Sequence, residues 1–290
     1  MENYLANLGV LICVYSILAI TLNFIMGYAG IFSLAHAVFF GVGAYTGGFL
    51  ALNYSSSILV ILPAAMITSA ALSLLLAIPT LRVRGEYFVA ASLGLQILAV
   101  TLFTEWKWFT GGIGGLVGIP PISIFGTEIF RPTSFFLVTL VALAVTIAIF
   151  GLLVRSNFGR SLRAIRDSES AAAAFGKNVP LIKTVSLAIS AALAGMAGAL
   201  YASYLSFINV ESFMLDTSVL IMAMVIIGGT GTQIGPIVGA VVLLSLPSAI
   251  SYLNFLPQSE IGAIQQIIYG AGMTLLMLFR PGGIVGSGGK

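Results

Sequence analysis

Apolar residues fill most of this chain in long continuous runs, and polar residues gather in a few breaks between them. Nine runs suit a membrane span of roughly 20 mostly apolar residues; they cover about 8–27, 34–52, 58–80, 87–104, 133–154, 184–207, 213–228, 235–253 and 261–279. None shows the period-two alternation of a barrel strand. The pattern predicts an all-α fold, a polytopic transmembrane helical bundle of about nine membrane segments forming a single domain over 1–290. The second, seventh and eighth runs are short and flanked by glycine, which predicts broken helices or half-helices.

Two polar connections are long, 105–132 and 155–183. The second carries Arg155, Arg160, Arg163, Arg166, Lys177 and Lys183 against only Asp167 and Glu169. Lys and Arg translocate poorly, so this segment belongs on the cytoplasmic side. With nine crossings the N-terminus lies outside and the C-terminus inside. Arg82, Arg84, Arg280 and Lys290 then fall inside, and only Lys107 and Arg131 fall outside. The basic segment divides at Asp167–Ser168, because one continuous helix would set Glu169 on the stripe of Phe158, Leu162 and Ile165. Two short helices are predicted, about 160–166 and 169–175, with Ser168 as N-cap, Glu169 in the first turn and Gly176 just past the end. Such a capped pair has the character of a docking element, with Ala172 expected on its docking face and Glu169 placed to meet a partner's basic group. In the outer connection, Trp106 and Trp108 suit the headgroup interface. Five glycines follow in 111–118; composition reads them as a flexible loop, with tight turns or close backbone approach as the alternative.

Composition agrees with a bilayer environment. The chain is 59% hydrophobic and only 7% charged, against about 25% charged in soluble domains. No Asp, Glu, Lys or Arg stands in the middle of a predicted span. Ion-coupled pumps place such groups there despite a cost of roughly 2.5–3.5 kcal/mol, so coupling energy is expected from elsewhere. The single cysteine, Cys13, excludes an internal disulfide. One histidine, His36, cannot build a metal site, and no cofactor is expected. The tail GSGGK lacks the first glycine and the Ser or Thr of a phosphate loop. Enzyme signals are absent; the net charge of +3 says little about nucleic acid, and no nucleic-acid partner is expected. The start, MENYLANLG, has no basic n-region, so no cleaved signal peptide is expected.

Small residues recur at helical spacing, as in Ala191, Gly195, Ala199 and Ser203, and in the pairs Gly43/Gly47 and Gly235/Gly239. They are expected to let helices pack closely in lipid. The glycine-rich breaks GYAGIFSLAH and GGTGTQIGP open two further possibilities. At membrane depth, irregular backbone must be buried in protein or line a wet cavity; at the rim, the breaks are ordinary turns. In the first case Ser33, His36, Thr230, Thr232 and Gln233 line a translocation path, joined by Asn23, Thr46 and Gln96. The two breaks also begin a faint repeat, 27–50 and 228–250, predicted to run parallel.

Several of these stretches occur together in one known family. GYAGIFSLAHAVFFGVGAYTGG, LRVRGEYFVAASLG, TGGIGGLVGIP, RSNFGRSLRAIRDSESAAAAFGKNV, SLAISAALAGMAGALYA and IIGGTGTQIGPIVGA stand in order over about 27–240, and the series resembles the LivM-type permeases. Those are membrane subunits of ABC importers for branched-chain amino acids. The resemblance implies a bacterial-type plasma membrane location, a sister permease, two cytosolic ATPase subunits and an extracytoplasmic substrate-binding protein. It implies that Gly159, Arg160, Arg163, Ala164, Arg166, Glu169, Ala171, Ala172 and Gly176 form the motif that presses into the ATPase. Relatives that handle urea or other amino acids leave the substrate open. A self-contained secondary transporter or channel stands as the alternative.

Overall fold

A computed structural model describes residues 2–82, 86–124, 126–251, 267, 270–272, 274–275 and 282–286. The chain is a helical bundle. Its helices are α1 (Glu2–Asn23), α2 (His36–Asn53), α3 (Ile58–Arg82), α4 (Glu86–Glu105), the single turn α5 (Lys107–Thr110), α6 (Pro132–Arg155), α7 (Asn157–Asp167), α8 (Glu169–Ala174), α9 (Val179–Leu205), α10 (Leu215–Gly228) and α11 (Gly235–Ser251). A π-helical turn, Phe24–Tyr28, extends α1.

Among the described residues five stretches are long and apolar enough to cross a membrane: Tyr4–Tyr28, Ile58–Leu75, Tyr87–Glu105, Pro132–Arg155 and Val179–Leu205. Leu215–Gly228 and Gly235–Leu246 are shorter, as the flanking glycines predict. The ninth expected segment, 261–279, lies mostly outside the described residues. Three boundaries differ from expectation, the first being that α1 starts at Glu2 instead of about 8. The sixth span starts at Val179 instead of 184, because Asn178 caps Leu181 N–H and Pro180 fits the first turn. The first short helix starts at Asn157 instead of 160, capped by the Ser156 hydroxyl.

Helices α1 and α9 form the centre. About 72% of each is buried, against 22–33% for α3, α4 and α6, whose exposed Leu, Ile and Val side chains form an apolar periphery. The small residues of α9 explain its position. A Cβ on Gly43 of α2 would run into the backbone of Gly195, and one on Gly198 would meet the Phe40 carbonyl. The opposite side of Gly195 lies against Ala65 and Ser69 of α3. Gly239 of α11 packs in the same way on the Met224 carbonyl of α10. Backbone-to-backbone contact of this kind drives association where lipid removes the hydrophobic incentive.

At one end of the bundle the glycine-rich connection is ordered, and here the flexible-loop reading fails. Strand β1 (Leu116–Val117) pairs antiparallel with β4 (Phe207–Ile208), and β2 (Ser123–Ile124) with β3 (Thr127–Glu128). The N–H groups of Gly118 and Ile119 both donate to the Ser206 carbonyl. A Cβ at Gly115 would overlap the Ile208 carbonyl, so the close approach itself requires glycine. The opposite end carries α7, α8 and both glycine breaks.

The seam between α2 and α9 generates a test. Overpacking costs typically ~1–3 kcal/mol, and a side chain at Gly43 must also push the α2 and α9 backbones apart. Gly43→Leu should therefore lower the aggregation temperature of the purified, detergent-solubilised chain or abolish its yield. Native thermal behaviour would contradict the seam.

Candidate functional site

The basic end is built from a compact helix pair. Gly159 of α7 is buried over the Val154 carbonyl, with no room for a Cβ. Leu162 and Ile165 turn inward, and Ile165 clusters with Ala172 of α8 and Val179 of α9. The Ser168 hydroxyl accepts from Ala171 N–H and starts α8 as predicted. After α8, Gly176 N–H donates to the Ala173 carbonyl and Lys177 N–H to the Ala172 carbonyl. This is the bonding of a Schellman cap, and Gly176 sits at φ +76°, where a Cβ is strained.

Two expectations for this pair are corrected. Ala172 is not on a docking face; it is 3% exposed and packs inward. Glu169 meets a cation of its own chain, Lys183 Nζ at 2.7 Å, which pins α8 to the first turns of α9. The exposed surface of α8 and its cap includes Ser170, Ala171, Ala173, Ala174 and Phe175, the last 87% exposed. Ala164 and Gly176 are exposed beside it.

The arginines of α7 reach back toward the first glycine break. Arg160 stays local, on the Asn157 side-chain oxygen. The Arg163 guanidinium lies 5.6 Å from the centre of the Tyr28 ring and donates to the Val154 carbonyl at 3.4 Å. Arg166 Nη1 donates to the Gly27 carbonyl. Tyr28 and Gly27 both belong to the π-helical turn.

The two breaks touch each other. Asn23 Nδ2 donates to the Thr232 carbonyl at 2.7 Å, and Asn23 Oδ1 accepts from Gly231 N–H at 2.8 Å. Gly27 lies so close to the Gly231 backbone that no Cβ fits between them. The Thr232 hydroxyl donates to the Gly229 carbonyl and accepts from Gly235 N–H, closing the turn into α11. Residues 282–286 complete this end, with Ile284 N–H and Val285 N–H on the carbonyls of Ile227 and Gly228. Helix α11 starts from this junction, whereas α2 starts further along the chain, at His36. Asn23 and Gln233 also line a small cleft with Ile20, Phe24, Tyr28, Ile147, Phe150 and Val154. Thr230 is exposed at the rim.

The remaining path candidates stand apart from that junction. His36 Nε2 shares a 2.8 Å hydrogen bond with Thr21 Oγ1, and its buried Nδ1 has no partner. Gln96 Nε2 donates to the Phe213 carbonyl at 2.8 Å, while its Oε1 lies 3.5 Å from Ser218 Oγ. Ser218 in turn accepts from Ala37 N–H. Ser33 accepts from Ala35 N–H, and Thr46 pairs with Thr68 at 3.1 Å. These side chains stitch α2 to α1, α3, α4 and α10. The sequence reading missed Thr21, Thr68, Ser190 and Ser218, which complete this network; a lone small polar residue in an apolar run looks like any packing residue. Among the described residues no group of three or more His, Cys, Asp or Glu side chains is placed to hold a metal ion.

Comparison with known proteins agrees with this architecture. The family described as "Branched-chain amino acid transport system / permease component" matches residues 4–278. The high-affinity branched-chain amino acid transport system permease protein LivM of Salmonella typhimurium is 30% identical, covering 96% of this chain and 69% of that protein. A probable LivM permease of Methanocaldococcus jannaschii is 25% identical, over 93% of this chain and 90% of its own length. The autoinducer 2 import system permease LsrC of Escherichia coli is 26% identical over 88% of this chain and 75% of its own. No solved structure matches. The ordered motifs, the multi-pass apolar helices and the extent of these matches converge: the chain is a multi-pass membrane protein of the branched-chain amino acid transport permease family.

Proposed function

We propose that the chain is a permease subunit of an ATP-driven importer in a bacterial-type inner membrane, and that its substrate is a branched-chain amino acid. The observation that carries this reading is the α7–α8 pair. It is capped, pinned to the bundle by Glu169–Lys183, and presents Ala171, Ala173, Ala174 and Phe175 outward. An apolar side chain as exposed as Phe175 at a basic end suits a protein partner. A cytosolic ATPase is that partner; hydrolysis takes place there, which accords with the uncharged spans. A sister permease, a second ATPase subunit and an extracytoplasmic binding protein complete the assembly. The names of the LivM relatives support the substrate; LsrC supports only the architecture.

The basic end faces the cytoplasm in this reading, with the N-terminus outside and the C-terminus inside. The translocation route passes the junction of the breaks, where Asn23, Thr230, Thr232 and Gln233 gather. Ser33, His36, Thr46 and Gln96 support the helices beside that route.

Three measurements test this. Purified with its partners in proteoliposomes, the chain should support leucine, isoleucine or valine uptake that requires both ATP and the binding protein. Uptake by the permease alone would instead favour a secondary transporter. Cysteines at Ala174 and Thr127, both exposed, should report opposite sides. In intact cells an impermeant thiol reagent should reach Thr127→Cys and not Ala174→Cys, and the reverse pattern inverts the orientation. Finally, Gly176→Val forces a β-branched side chain into left-handed backbone, at about 1–2 kcal/mol. It should loosen the α8 cap, speed tryptic cleavage after Lys177 and lower uptake in an inserted permease. Unchanged cleavage and uptake would remove α8 from the coupling path.

A further inference from the structure

We infer that Arg166 is a positioning residue that transmits motion of the α7–α8 pair to the two glycine breaks, instead of a residue that contacts the ATPase. The inference rests on the reading of α7–α8 as the docking element. Its own evidence is the direction in which the side chain points. Arg166 Nη1 donates to the Gly27 carbonyl, in the π-helical turn that ends α1. The last carbonyls of a helix lack partners within it, and a cation there also suits the helix dipole. Arg166 supplies both.

From Gly27 the connection continues without a gap. The Gly27 backbone lies against Gly231, and a Cβ on Gly231 would come within 3.3 Å of Arg166 Nη1. Gly30, on the other side of the turn, would set a Cβ 3.4 Å from Arg166 Cγ. The guanidinium therefore sits where both breaks meet. Asn23 then ties the breaks together through Gly231 N–H and the Thr232 carbonyl. Arg163 adds a second hold on the same turn, over the Tyr28 ring. A displacement of α7 is carried to residues 229–232 by one guanidinium and one carboxamide. The planar, fixed fork of arginine suits this role better than a flexible ammonium.

The test uses the full complex and a reporter at Thr230, which is exposed beside the junction; the native Cys13 is buried. In the Thr230→Cys background, the rate of thiol modification is measured without nucleotide and with a non-hydrolysable ATP analogue. The rate should change with nucleotide. Adding Arg166→Met should abolish that change while the ATPase still co-purifies, and uptake per ATP hydrolysed should fall about tenfold, within the usual range for coupling between sites. Should Arg166→Met fail to insert, Arg166→Lys reads the same quantity, with a partial loss expected. The inference is overturned if the nucleotide effect survives Arg166→Met or is undiminished by Arg166→Lys, or is absent from the parent. It is also overturned if Arg166→Met releases the ATPase, since Arg166 would then be a docking residue. If the unsubstituted chain binds no ATPase at all, the functional reading fails and this inference falls with it.

Discussion

The double hydrogen bond from Asn23 to the second glycine break holds the working end of this molecule together. Where a helix is interrupted in a membrane protein, the freed N–H and C=O groups must find partners in protein or water. Asn23 meets one of each, accepting from Gly231 N–H and donating to the Thr232 carbonyl, from a buried position at the end of α1. Gly27, one turn further on, brings its backbone against Gly231. Two interruptions far apart in sequence thereby become one junction, from which α11 departs. The helix pair α7–α8 attaches to this junction through arginines and to the rigid centre through Glu169–Lys183.

This arrangement suits a chain whose predicted spans carry no charge in their middle. The basic side chains are concentrated at one end, where they organise that end. The bundle behind them is held by close backbone contact, as at Gly43 and Gly195, and by buried hydroxyl and amide links such as Thr21–His36 and Gln96–Phe213. Such a bundle transmits displacement because its contacts are short and leave little slack.

Much of this was legible in the sequence, for identifiable reasons. Continuous apolar runs declared the spans, and Ser168, Glu169 and Gly176 declared α8, because capping chemistry is local. Small residues four apart declared close helix packing, though not that α2 and α9 are the partners. What stayed hidden depended on partners distant in sequence. Nothing near Ala172 says that it faces Val179, and nothing near Glu169 names Lys183. The path candidates show the same limit. Asn23, Thr232 and Gln233 do come together, whereas His36, Thr46 and Gln96 are bound to neighbouring elements that only the fold brings near, and Ser33 bonds locally to Ala35 N–H. The glycines at 111–118 looked like a loose loop because their pairing partner, 206–208, is contributed by the far end of α9.

The central claim is that the helix pair and the two breaks move as one body when a partner binds ATP. It is tested most directly by structures of the assembled complex with and without nucleotide. The account predicts Phe175 and the neighbouring alanines against the ATPase in both states. It also predicts the Arg166–Gly27 and Asn23–Gly231 contacts intact in both, with 229–232 displaced together with α7. A helix pair that shifts while the breaks stay fixed and the Arg166–Gly27 contact separates would contradict it.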